Sequence, residues 1–159
     1  MPNHKNMNAL ELKLPPVPLA MIFGGAMWLA AVSLPAFAFA LPGHIAVACL
    51  LGGLGIICAL AGIVAFRHAM TTFNPMQPGA AAVLVTSGAY RLSRNPMYVG
   101  LLLVLGGWAV FLSHALGFLF LPAFVAYMNR FQIAPEENAL SSKFGEDFAA
   151  YQQSVRRWL

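Results

Sequence analysis

Apolar positions in this chain come in long runs, and polar positions are gathered into islands between them. From Leu14 to Phe66 there is no Asp, Glu, Lys or Arg. That is more than twice the ~20 apolar residues a helix needs to cross a bilayer. Leu41-Pro42-Gly43 interrupts the run with turn formers, so residues 17–66 read as two spans, about 17–40 and 44–66. A third apolar run covers Met97 to Leu112 and a fourth Leu116 to Met128, with Ser113-His114 between them. The third run, as a helix, rises only ~24 Å against a hydrocarbon core of ~30 Å. Residues 96–128 therefore form either two short tilted spans or one re-entrant hairpin. The predicted fold is all-α and integral to a membrane, with about four transmembrane helices and an interfacial C-terminal helix.

The islands are a polar N-terminal arm (1–16), a connection (67–95) and a C-terminal cap (129–159), all within one membrane domain. The connection holds Thr71, Thr72, Asn74, Pro75, Pro78 and Gly79, a turn-rich composition. In the cap, Pro135 suits a first helical position, and Glu136 and Glu137 complement a helix N-terminus. Phe148, Tyr151, Val155 and Trp158 recur at helical spacing, with Arg156 and Arg157 placed to reach headgroups.

Composition supports the membrane assignment: 60% of residues are hydrophobic and 9% charged, against about 25% charged in soluble domains. All nine Lys and Arg lie in the three islands, which the parity of the spans puts on one side. The positive-inside rule makes that side, with both termini, cytoplasmic. The net charge of +4 forms no nucleic-acid stripe and suits anionic lipid headgroups. The A-x-A patterns near residue 38 mimic a signal-peptidase site, but the apolar run before them exceeds a signal h-region, which favours a retained helix. Gly24, Gly25, Ala48, Gly52, Gly55, Ala59 and Gly62 are spaced for close helix contact. Cys49 and Cys58 stand roughly 13 Å apart along one helix, too far for a disulfide. The four scattered His make no metal-binding pattern.

Polar chemistry concentrates in V-L-V-T-S-G-A-Y-R-L-S-R-N-P-M-Y-V-G, residues 83–100. Asn95 is a good N-cap and Pro96 a good first helical residue, so N-P starts the third helix. A helix start offers unpaired N–H groups to an anion, and Arg91 and Arg94 strengthen that offer. Gly100 would let something flat approach the backbone, and Tyr90 or Tyr98 could stack on it or bond to it. Each of these residues also has an ordinary structural role, as a cap, a flanking arginine or an interfacial aromatic. Glu136 and Glu137 add two acceptors for hydroxyl or ammonium groups. An arginine-lined anion site facing a carboxylate pair suits a zwitterionic, nucleotide-like cofactor.

Y-R-L-S-R-N-P-M-Y-V-G, followed after a hairpin by P-E-E-N-A-L-S-S-K-F-G-E-D-F-A-A-Y, resembles the isoprenylcysteine carboxyl methyltransferase and phospholipid methyltransferase superfamily, in particular its small bacterial members. The resemblance runs from about Thr72 to Leu159 and rests on the order of T-x-N-P, V-T-S-G-A-Y-R, R-N-P-M-Y-x-G, E-E-x-x-L and F-G-x-x-F-x-x-Y. It implies an S-adenosyl-L-methionine-dependent methyltransferase of a bacterial inner membrane, with a cytoplasm-facing cofactor pocket capped by the C-terminal segment. It marks Arg94, Asn95, Pro96, Tyr98 and Gly100 as one half of the cofactor site, with Tyr90 and Arg91 beside them, and Glu136 and Glu137 as the other half. It also makes Arg130 a candidate for orienting the acceptor. Many relatives carry His at the position of Asn95, and an amide cannot titrate, so Asn95 is not assigned general-base work.

The acceptor is expected to be a lipophilic or small molecule reaching the site from the membrane. A carboxylate needs no base; an amine or thiol must lose a proton, and His68 is the one histidine placed to take it. The absence of an obvious base favours a carboxylate or an already ionised thiolate. A nicotinamide-dependent membrane reductase and a non-enzymatic helical membrane protein are the competing readings.

Overall fold

The computed structural model describes residues 12–69 and 83–159. The predicted arm up to residue 11 and the turn-rich stretch 70–82 lie outside those residues. Among the described residues five α-helices follow in order: α1 (Pro16–Ser33), α2 (His44–His68), α3 (Pro96–Leu112), α4 (Ala115–Tyr127) and α5 (Ala134–Ser154). Among the described residues the only β pairing is an isolated bridge between Ala38 and His114. The protein is an all-α membrane protein. α1, α2 and the continuous helix Ala115–Ser154 are each long and apolar enough to cross a bilayer, and α3 is a shorter apolar helix.

α2 and α3 form the tightest pair, through small residues. Ala48, Gly52, Gly55, Ala59 and Gly62 repeat every three or four positions and so share one face of α2. Met97 lies at Gly62, Gly100 at Gly55 and Ala59, and Gly107 at Ala48 and Gly52, so the helices are antiparallel. A Cβ built on Gly100 would stand 2.5 Å from Gly55 O and 2.8 Å from Ala59 N. Only a hydrogen fits there. In lipid, where apolar contact carries no hydrophobic drive, such close backbone approach is a main source of packing energy.

α1 joins through aromatic contacts and one hydrogen bond. Phe23 meets the Phe124 ring edge-on at 5.4 Å, and Trp108 Nε1 donates to Gly24 O at 3.0 Å. Met27, Phe124 and Met128 are fully buried in this core.

α3 follows α2 from Gly62 to Ala48, and the turn after it bonds to the segment after α1. Phe39 N donates to Ser113 O at 2.9 Å, and His114 Nε2 lies 2.9 Å from Leu34 O. α4 is continued without a break by a π-helical turn, Met128–Ile133, which carries Asn129, Arg130 and Gln132. Ala115 to Ile133 rises roughly 28 Å, close to the ~30 Å hydrocarbon core. The first charged residue along it is Arg130, in the π turn, and Glu136 and Glu137 follow in the first turn of α5. That turn is not the free helix start expected at Pro135, because the helix runs into it from Ile133 in αR conformation.

α5 bends at Gly145, whose φ of 51° is open to glycine and strained for other residues. Beyond the bend, Phe148 and Tyr151 pack with Ala65, Val85 and Tyr90 into a second, smaller core. The helix ends at Ser154, and Val155 is extended. Val155 and Trp158 therefore leave the helical face predicted for them, and the last residues run back as an extended tail.

Candidate active site

The tail brings the two predicted halves together. Arg94 is the centre of the contact. Its Nη1 donates to Gln152 O and Val155 O, both at 2.9 Å, and its Nη2 donates to Glu137 Oε1 at 2.9 Å. Its backbone N–H donates to Arg156 O at 2.9 Å. Asn95 occupies the N-cap position of α3 but makes no side-chain capping bond; its amide instead donates to Arg157 O at 2.9 Å. An extended tail leaves its carbonyls unpaired, and a helix start supplies the donors that meet them. Trp158 Nε1 pins the tail to Asn129 Oδ1 at 2.9 Å.

The two adjacent glutamates have different surroundings. Glu137 sits between two cations: Arg94 and Arg157 Nε share its Oε1, and Arg157 Nη2 takes Oε2. Arg157 is thus engaged with Glu137, contrary to the expected headgroup contact, while Arg156 remains exposed. Glu136 meets only neutral donors. Tyr98 Oη donates to its Oε1 at 2.6 Å, and Gln132 Nε2 donates to the same oxygen. Glu136 Oε2 accepts no hydrogen bond, and it is not among the sealed-off polar atoms that lack a partner, which are Arg94 Nε, His114 Nδ1 and Tyr127 Oη in the described residues. Burial pushes the Glu136 carboxyl up from 4.5 to about 7; the bonds from Tyr98 and Gln132 oppose the rise and the Glu137 charge adds to it.

The other predicted residues are not all in this cluster. Tyr90 is buried against Phe66, with ring centroids 5.3 Å apart, and its carbonyl accepts from Tyr151 Oη at 2.6 Å. It belongs to the second core and offers no stacking face. Pro96 is buried at the start of α3. The flat group that approaches Gly100 is the α2 backbone. Arg91, Arg130 and His68 are exposed, with the Arg130 guanidinium 5.7 Å from the Phe131 ring centroid. Gln132, Ser93, Arg157 and Trp158 were missed as site residues. Gln132 did leave a signal, as a polar residue in an apolar stretch four positions before Glu136, one helical turn away.

An apolar groove of about 800 Å³ opens between α1, α2 and α3. Leu101 and Leu105 line it; they lie three and seven positions after Tyr98 on the same face of α3. The groove therefore begins one helical turn from the Tyr98–Glu136 contact.

A family model described as phospholipid methyltransferase matches residues 44–147. That is more than half of the chain, and it includes both the start of α3 and the two glutamates. The chain belongs to the phospholipid methyltransferase family. An uncharacterised protein of Haemophilus influenzae is 48% identical over 63 residues, covering 40% of this chain and all of that protein. No solved structure matches. Membership makes this a membrane protein of a methyltransferase family.

Proposed function

We propose that this chain is an S-adenosyl-L-methionine-dependent methyltransferase that modifies a lipophilic or small acceptor, with the site and both termini on the cytoplasmic side of a bacterial inner membrane. The observation that carries the reading is the junction of R-N-P-x-Y with E-E: Arg94, Asn95, Tyr98, Glu136 and Glu137 fall in one cluster although some forty residues separate the two motifs. The residues fit such a cofactor. Arg94 Nε is a buried donor without a partner, which a carboxylate would satisfy, and Glu136 Oε2 is an acceptor still to be filled.

When bound, the cofactor supplies a methyl group already activated by its sulfonium, so the protein's work is alignment and exclusion of water. Arg94 and Asn95 would hold the cofactor. Glu137 would keep Arg94 in place, since both of its oxygens are engaged by arginines. Tyr98 orients Glu136. Arg91, Arg130 and the other exposed basic groups suit headgroups at the membrane surface. The lateral groove, lined by apolar side chains and beginning one turn from Tyr98, suits the hydrocarbon part of an acceptor arriving from the membrane.

The test is transfer of a labelled methyl group from S-adenosyl-L-methionine on membranes containing the protein, with identification of the labelled product. A labelled lipid or lipophilic small molecule that appears only when the protein is present supports the reading. Absence of any labelled product, together with a thermal shift from NADPH and none from S-adenosylhomocysteine, would replace it with a reductase.

A further inference from the structure

The two segments that meet at the start of α3 carry more positive charge than the group between them can balance. Arg91 and Arg94 come from the turn before α3, and Arg156 and Arg157 from the tail. Arg94 and Arg157 share Glu137. Arg91 and Arg156 are exposed, and neither pairs with an acidic group among the described residues. The two backbones are nonetheless bonded: Arg94 N–H donates to Arg156 O at 2.9 Å, and Ser93 Oγ donates to Arg157 O at 3.4 Å. Like charges brought together repel, so the arginines oppose the contact by which the tail completes the site. A sulfonium cofactor with one ammonium and one carboxylate does not relieve this, because it is itself net positive.

An exposed leucine accompanies each unmatched arginine. Leu92 follows Arg91 and is 76% exposed, and Leu159 stands three residues after Arg156 and is 73% exposed. The length of α3 sets the depth of this patch. Its 17 residues rise ~26 Å against a hydrocarbon core of ~30 Å. The residues just before Pro96, and the tail bonded to them, therefore lie at the level of phosphates and the first methylenes. Arginine beside an exposed apolar side chain at that depth is the composition that anionic lipid attracts. A soluble anion would meet the arginines and leave the leucines in water, which favours a lipid as the source of the missing charge.

We propose that Arg91, Leu92, Arg156 and Leu159 form a docking surface for an anionic phospholipid, whose phosphate bridges the turn and the tail and closes the tail on the start of α3. The lipid is a regulator of the site: it holds from outside the junction that Arg94 and Glu137 hold from within. The surface itself stands on the packing of tail and turn, while its effect on cofactor binding rests on the methyltransferase reading.

The experiment places the full-length protein in nanodiscs of phosphatidylcholine, alone or with about one-third phosphatidylglycerol. It follows amide hydrogen exchange over residues 92–95, which include the Arg94 N–H bonded to Arg156 O. Phosphatidylglycerol should slow that exchange about tenfold or more, through the attraction of two arginines to an anionic surface, and salt at about 1 M should restore the faster rate. The double variant Arg91→Gln, Arg156→Gln should lose the response. Leu92→Ser should weaken it about threefold, and Lys143→Gln, at an exposed position of α5, should keep it. No slowing by phosphatidylglycerol, an equal slowing by inorganic phosphate in phosphatidylcholine discs, or a full response from the double variant overturns the proposal. S-adenosylhomocysteine affinity in the same discs separates the two readings. Wild type should bind it more tightly with phosphatidylglycerol, and equal binding in both discs overturns the regulation. Slowed exchange with no binding in either disc retains the lipid surface and removes the methyltransferase reading.

Discussion

Replacing Glu137 by Ala should destabilise the site far more than replacing Arg157, the more exposed of its two arginine partners. Arg94 and Glu137 are each 12% exposed, whereas Arg157 is 38% exposed. Removing one partner of a buried ion pair typically costs ~3–5 kcal/mol, because the remaining charge is uncompensated. Here Arg94 keeps two carbonyl acceptors, Gln152 O and Val155 O, which lowers the cost to about 2–4 kcal/mol. Arg157→Ala removes a partly exposed cation, whose ion pair is screened by solvent, and leaves Glu137 paired with Arg94, a loss of about 1 kcal/mol or less. In thermal unfolding of detergent-purified protein, 1 kcal/mol shifts Tm by about 2–4 °C for a chain of this size. Glu137→Ala should therefore lower Tm by on the order of 10 °C, and Arg157→Ala by about 3 °C or less. Trypsin should also cut at Arg156 and Arg157 faster in Glu137→Ala, since the tail loses its anchor. If Glu137→Ala melts no lower than Arg157→Ala, Glu137 is not what holds the two halves together.

Two further outcomes follow from the packing and the buried carboxyl. Gly100→Ala places a Cβ within 3 Å of the α2 backbone and should cost about 1–3 kcal/mol by overpacking; Gly106→Ala, which meets nothing within 4 Å, should leave Tm unchanged, and equal melting of the two would refute the seam. Glu136 has a raised folded-state pKa, so its stabilising contribution is complete below about 4.5 and is lost as pH rises through about 7. Wild type should accordingly lose at most about 3 kcal/mol relative to Glu136→Gln across that window, visible as a falling Tm difference; a difference flat with pH would show that the carboxyl is not perturbed.

Much of the fold was legible because membrane helices are written in unbroken apolar runs, and the turns at Leu41-Pro42-Gly43 and Ser113-His114 interrupt them. The small residues of α2 were recognisable as a packing face, but their partner was not. Gly100 was read for a ligand because sequence spacing cannot say which backbone comes close. The span of α4 looked too short, since the π turn that lengthens it uses ordinary residues such as Asn129 and Gln132. At the site, the motifs identified the participants Arg94, Asn95, Tyr98, Glu136 and Glu137. What the motifs could not give was the division of labour between the glutamates. That depends on Arg157, whose place follows from where α5 bends and ends, and on Gln132, whose reach follows from the π turn. Both are tertiary facts with weak local signatures.

Isothermal titration of detergent-purified protein with S-adenosylhomocysteine tests the central claim most directly. Wild type should bind it saturably and one-to-one, and Arg94→Ala protein that still elutes as wild type does should bind at least tenfold more weakly. No binding by wild type, or equal binding by the variant, would contradict it.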